Sequence, residues 1–125
     1  MDIVITEWGL NSYLELKAEG AFSTQEYREK IRPDVLLLKI YPDHPKFSQG
    51  NFWSPEIQDG YKMKWHQMGN GKVQIRLPVG LLGSAYLCEA YVKLDSKKEA
   101  RMLARFKTHL QLIRLGRFTE RGRLS

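Results

Sequence analysis

A chain of 125 residues, 42% hydrophobic and holding 3 Trp, 6 Tyr and 5 Phe, is one domain's worth of sequence with enough apolar material for a core, which excludes a wholly disordered protein. Its single cysteine excludes an intramolecular disulfide and a cysteine-built zinc site, and no stretch approaches the roughly 18 uninterrupted apolar residues of a membrane span. Lys and Arg outnumber Asp and Glu by 20 to 14, a net charge of +6, and the imbalance sits in one half: residues 1–60 hold six bases and ten acids, residues 61–125 fourteen bases and four acids.

Asp2 to Thr6 alternates as a short, mostly buried first strand, and this acidic start is not an apolar leader, so a cytoplasmic location is expected. Trp8, Leu10, Tyr13, Leu14 and Leu16 then recur at helical spacing until Gly20 stops them. Ser23-Thr24-Gln25-Glu26 is a capping box opening a second helix, with Tyr27, Ile31, Val35 and Leu38 as its buried stripe. Pro33 either kinks that helix or starts a further short segment. Residues 1–41 thus read as a strand plus a helical hairpin. Over 42–60, Pro42, Pro45, Pro55, Gly50 and Gly60 break any period and leave a long loop anchored by Phe47, Phe52 and Trp53.

Residues 61–93 read as a three-stranded antiparallel meander. In 61–67, Tyr61, Met63 and Trp65 alternate with Lys62, Lys64 and His66; in 72–79, Val73, Ile75, Leu77 and Val79 alternate with Lys72, Gln74 and Arg76. A three-residue loop through Gly69, Asn70 and Gly71, with a bulge, pairs Lys64 with Arg76, Trp65 with Ile75 and His66 with Gln74, and gathers the apolar residues on one face. Pro78 lacks an N–H and belongs at a strand end or on an unpaired side. In 85–93, Tyr86, Cys88, Ala90 and Val92 form the buried row, leaving Glu89, Tyr91 and Lys93 to join the basic face.

A basic helix over 96–115 closes the fold. Ser96-Lys97-Lys98-Glu99 reads as its capping box, Leu103, Phe106, Leu110 and Ile113 as its buried stripe, and Lys97, Arg101, Arg105 and His109 as one continuous basic ridge. Residues 116–125 read as a flexible, arginine-rich tail. The whole is a single α+β domain in the order β-α-α-β-β-β-α, with the strand and helical hairpin packed on an antiparallel sheet. Opposed lysine and arginine weaken a sheet, so their clustering on one face points to an anionic partner that removes the repulsion.

That order, with the Tyr61-Lys62-Met63-Lys64-Trp65-His66 strand, resembles the RelE/ParE toxin superfamily of bacterial toxin–antitoxin systems. Gly71-Lys72-Val73-Gln74-Ile75-Arg76-Leu77 is similar to the family's next strand, which follows a tight turn and carries an arginine. Ala90-Tyr91-Val92-Lys93 with Lys97-Lys98-Glu99 is similar to its closing strand and lysine-rich exit. The family's frequent terminal Arg and Tyr pair has no clear counterpart, and the 42–60 link is longer than usual. The resemblance implies an inhibitor of growth, with a cognate antitoxin as partner. RelE-like members cut ribosome-bound mRNA without metal, whereas ParE-like members bind DNA gyrase and cut nothing. A small basic module gripping nucleic-acid backbone is a third reading of the same residues.

For cleavage, Lys62, Lys64, Arg76, Glu89 and Tyr91 are the candidate catalytic residues: cations for the dianionic transition state, Lys64 as the base with Glu89 and His66 as other choices, and Tyr91 to stack a base or donate a proton. His66, Lys72, Lys93, Lys97, Arg101 and Arg105 are the candidate RNA contacts. No G-x-G-x-x-G, P-loop or H-E-x-x-H pattern occurs, so neither a small-molecule cofactor nor a metal is expected.

Overall fold

In the computed structural model the described residues, 1–40, 44–45 and 57–124, form an α+β fold around one mixed sheet. β1 (Ile3–Thr6) runs directly into α1 (Glu7–Ala18). A short helix α2 (Thr24–Glu26) continues through a π-helical turn over Tyr27–Ile31 into α3 (Arg32–Ile40). β2 (Gly60–Met68), β3 (Val73–Leu81), β4 (Ala85–Leu87), β5 (Tyr91–Val92), α4 (Ser96–Arg114) and β6 (Glu120–Leu124) follow. Phe47, Phe52 and Trp53 of the expected loop lie outside the described residues, and Gly60 already belongs to β2.

Thr6 ends β1 and starts α1 with one hydroxyl, which accepts from the Gly9 N–H at 3.1 Å and donates to the Leu87 carbonyl at 2.6 Å. The Ser23–Glu26 capping box forms as expected. Glu26 also accepts from the Gly69 N–H at 3.0 Å, so it ties the helix start to the β2–β3 turn; these backbone donors, Ser23 first, lower its pKa. At Pro33 the second expectation holds: a further segment, α3, begins at Arg32, directly before it. The Arg32 N–H reaches back to the Tyr27 carbonyl, and the resulting π turn places proline in the first turn of α3, where its missing N–H costs nothing.

The strand order is β2-β3-β4-β1-β6, with β5 also on β3. β1 therefore lies within the sheet rather than on it, and its parallel pairing to β4, Ile3 opposite Ala85, corrects the all-antiparallel expectation. A crossover long enough to hold helices permits that parallel pair. β6 corrects the flexible tail: Glu120–Leu124 pairs antiparallel with β1 along the sheet edge. Its Glu-Arg-Gly-Arg-Leu run has no apolar alternation, so main-chain pairing rather than burial holds it.

In the β2–β3 hairpin, Met63, Lys64 and Trp65 face Leu77, Arg76 and Ile75 as expected. The expected His66–Gln74 pair is replaced by a bulge, because Met68 pairs with Val73 and leaves His66 and Gln67 opposite Gln74 alone. Gln67 takes φ 54° there, which turns Met68 into the core, and the loop becomes the four residues 69–72. Lys72, at φ 52°, is thereby a loop residue and not part of the strand face. The third strand is interrupted between Leu87 and Tyr91. Pro78 explains the break: its carbonyl accepts from the Cys88 N–H at 3.0 Å, but it has no N–H to return. The Ala90 N–H turns away to the Ser12 hydroxyl at 2.9 Å.

Helices α1–α3 cover the face bearing Met63, Trp65, Ile75, Leu77 and Val79, and the Trp65 indole donates to Asp34 at 2.8 Å. On the opposite face Phe106 and Leu110 of α4 pack with Ile57 and Cys88. Gly60 and Gly80, paired across β2 and β3, make the seat for α4: a Cβ on them would lie 2.7 Å from Phe106 and 2.6 Å from Leu110. α4 thus covers one end of that face and leaves its other end to the basic residues.

Candidate functional site

Alternation along β2 and β3 sends Lys62, Lys64 and Arg76 to the α4 side of the sheet. Lys64 lies directly opposite Arg76, and Arg76 directly opposite Tyr91 of β5, so the three form one cross-strand row. The first turn of α4 brings a fourth group, Glu99. The Lys62 ammonium donates to Glu99 Oε2 at 3.2 Å and the Tyr91 hydroxyl to the same oxygen at 3.0 Å. Arg76 Nε stands 3.9 Å from Glu99 Oε1, and Arg76 Nη2 donates to Gln74 Oε1 at 3.1 Å.

Glu99 is the residue that sequence reasoning misplaced. Asp95, one position ahead of the expected cap, accepts from the Lys98 N–H at 2.8 Å and caps α4. The Ser-x-x-Glu match is therefore one residue out of phase, and the Glu99 side chain serves the site instead of the helix end. The aspartate directly before Ser96 was the available signal.

The row is buried at its centre. Arg76 is only 5% exposed, and its Nε and Nη1 find no hydrogen-bond partner among the described residues; nor does Glu99 Oε1. Carboxylate and guanidinium face each other without the short, paired contacts of a well-formed bridge, whose N···O distances run about 2.7–2.9 Å. Burial, then the Arg76 and Lys62 charges, lower the pKa of Lys64, and Lys93 adds to the same effect. An ammonium held this way gives up its proton more readily than a solvated lysine.

The other expected residues divide. Glu89 joins neither the row nor Glu99: in the break after β4 it pairs with Arg105 at 2.8 Å, and burial raises its pKa. Arg105 is accordingly engaged on α4, while Lys97 and Arg101 are exposed along it. His109 departs from the basic ridge altogether. It is 7% exposed, stacks on Trp8 at 4.1 Å, and burial pushes its pKa down to about 4, so it is a neutral core group. His66 and Lys72 are exposed at the hairpin end. Lys93 follows β5, its N–H donating to Gln74 at 2.8 Å, beside the row. Cys88 is buried, which pushes its thiol up to about 12 and leaves no ready nucleophile.

A separate cavity of about 250 Å³ opens between α1, α3 and the sheet, among Leu10, Tyr13, Phe22, Tyr27 and Trp65, but its apolar lining holds no cation. Among the described residues, no three His, Cys, Asp or Glu side chains are placed to share a metal ion, and no helix is long and apolar enough to cross a membrane. The chain matches no protein-family model, no curated protein and no solved structure. The row is thus a set of cations gathered around one carboxylate, Glu99, with two guanidinium nitrogens of Arg76 left without hydrogen bonds among the described residues.

Proposed function

We propose that this protein is a toxin-like, metal-independent endoribonuclease acting on ribosome-bound mRNA, with the Lys64–Arg76–Tyr91 row and the adjoining Lys62 as its phosphate site. The observation that carries the reading is Arg76. A buried guanidinium with two N–H groups unmatched among the described residues is costly in a fold and useful in a site that receives a phosphodiester. In the reaction the 2′-hydroxyl oxygen bonds to the adjacent phosphorus while the bond from phosphorus to the 5′-oxygen breaks. The products are a 2′,3′-cyclic phosphate and a 5′-hydroxyl. Lys64, in its neutral form, takes the 2′-hydroxyl proton; Tyr91 gives its proton to the departing oxygen. Arg76 and Lys62 hold the charge that builds on the phosphate oxygens. Exposed Lys97 and Arg101 extend the binding surface along the RNA strand. The resemblance to the RelE/ParE superfamily supports the same reading and adds a cognate antitoxin that shields the basic face.

Purified protein incubated with ribosomes carrying a defined mRNA tests it, with free single-stranded RNA in excess EDTA as the metal-free arm. The expected result is cleavage leaving cyclic phosphate ends, rising with pH through a Lys64 pKa below the ordinary 10.5. Lys64→Ala should lose the rising limb and about 10²–10⁴-fold in rate. Intact RNA and unimpaired growth on induced expression would refute it. Glu99 favours a second reading: its ion pair with Lys62 suits a site that grips phosphate and cuts nothing, which predicts salt-sensitive binding of uncut RNA.

A further inference from the structure

We infer that the Glu99 carboxylate occupies the place of the ligand anion, as a built-in competitor that an incoming phosphodiester must displace. The inference rests on the phosphate-site reading and names what regulates that site. Lys62 and Tyr91 donate to this one side chain, and the Arg76 guanidinium of a third strand faces it at 3.9 Å. The fit is incomplete on both sides, since Arg76 Nε and Nη1 and Glu99 Oε1 are buried without hydrogen bonds among the described residues. A planar carboxylate has two oxygens for this array. A tetrahedral oxyanion has more, spread in three dimensions, and can serve the ammonium, the phenol and both idle guanidinium donors together.

The exit route is also built. The Glu99 side chain is 21% exposed against 6% for Arg76, so Glu99 is the more accessible of the two although its Oε1 is buried. Asp95 caps α4, so Glu99 can rotate outward while the helix keeps its cap. Once it leaves, the first turn of the 19-residue α4 still offers its positive end to an anion. Glu99 thus lowers the site's affinity for stray anions and reserves it for a ligand held at further points.

The test compares wild type with Glu99→Gln, using inorganic sulfate and a 2′-O-methyl oligoribonucleotide that cannot be cut. Glu99→Gln should bind both roughly a hundredfold more tightly, the factor that corresponds to removing this partly buried ion pair from the competition. Because the variant is less stable, sulfate is also followed by melting temperature. A tighter site gives a larger upshift from a lower start, and a variant unfolded without anion should fold when sulfate is added. Adding Arg76→Met should erase the gain. Equal or weaker binding by Glu99→Gln, or no sulfate upshift beyond that of wild type, overturns the inference. RNA cleavage by wild type is scored separately: a gain in anion affinity without cleavage retires the nuclease and keeps the competitor, whereas cleavage without the gain does the reverse.

Discussion

Arg76 and Glu99 form an ion pair whose two halves are not equally replaceable, and the asymmetry can be measured as stability. In Glu99→Gln, the 5% exposed guanidinium keeps its charge beside Lys62 and Lys64 and loses the nearest carboxylate. Removing one partner of a buried pair costs about 3–5 kcal/mol, and the 3.9 Å separation with 21% exposure of Glu99 places this case near 3. In Arg76→Met, Glu99 retains Lys62 and Tyr91, the opposition between Lys64 and Arg76 disappears, and a flexible apolar side chain fills the space. What disappears with it is the bond to Gln74, worth about 1 kcal/mol. Arg76→Met should therefore stay within about 1 kcal/mol of wild type.

In the double variant the unbalanced charge is gone, so it should recover about 2 kcal/mol relative to the sum of the singles. Urea unfolding at pH 7, followed by tryptophan fluorescence, reads all three. With a slope of about 1.5 kcal/mol/M, Glu99→Gln moves the midpoint down by about 2 M and Arg76→Met by well under 1 M. Equal losses in the two single variants, or a double variant equal to their sum, would refute the claim that Arg76 is a buried charge dependent on Glu99.

Three further outcomes are expected. His109 is held neutral by burial, with a folded pKa of about 4 against 6.5, so its contribution is complete above pH 6.5 and lost as pH falls toward 4; His109→Phe should flatten up to about 3 kcal/mol of that loss in urea titrations at pH 7 and 4.5. Gly9→Ala should cost about 3 kcal/mol, because its Cβ would meet the Leu87 carbonyl oxygen at 2.5 Å, while Gly80→Ala should cost less, since it presses on the end of the Leu110 side chain; melting curves compare the two. If Lys97 and Arg101 grip RNA phosphates, Lys97→Ala with Arg101→Ala should reduce the salt slope of binding to single-stranded RNA by about 0.7 for each phosphate released, as read by fluorescence anisotropy.

The parts of the fold legible in the sequence are those fixed by local pattern. The β2–β3 register followed from keeping Met63, Trp65, Ile75 and Leu77 on one face, because a slip by one residue would expose them all. The Ser23 capping box was equally local. What stayed hidden depends on partners distant in the chain. β6 forms because β1 offers a free edge, and nothing in its own side chains signals a strand. His109 matches a basic ridge by spacing, yet Trp8, about a hundred positions away, makes it a core residue. The break at residues 88–90 follows from Pro78 in the neighbouring strand and the Ser12 hydroxyl on α1. At the site, Lys62, Lys64 and Arg76 were readable from alternation, but the expected buried row of 85–93 divides, with Tyr86 and Cys88 on the α4 side and Ala90 and Val92 on the other, so Tyr91 reaches the basic face through the phase shift at the break; Glu99 was hidden by a cap motif that matched one residue too late.

The charge imbalance takes on a sharper meaning once the acids of the basic half are followed to their partners. Glu89 is bound to Arg105, Asp95 caps α4, Glu120 is bound to Arg123, and Glu99 faces Lys62 and Arg76. All four acids of residues 61–125 thus have work within the fold, and of the ten positive charges left over in that half Arg114 and Arg123 also meet Asp59 and Asp2 of the first half. A merely solvated basic surface explains exposed lysines such as Lys97, but it does not explain a guanidinium taken out of water and set directly across from a lysine. At that position an apolar side chain of similar volume would serve the fold as well or better. Within the chain the counter-charge to that guanidinium is Glu99, at 3.9 Å and without a hydrogen bond, and on the proposed reading an incoming phosphate would take the place that Glu99 now fills.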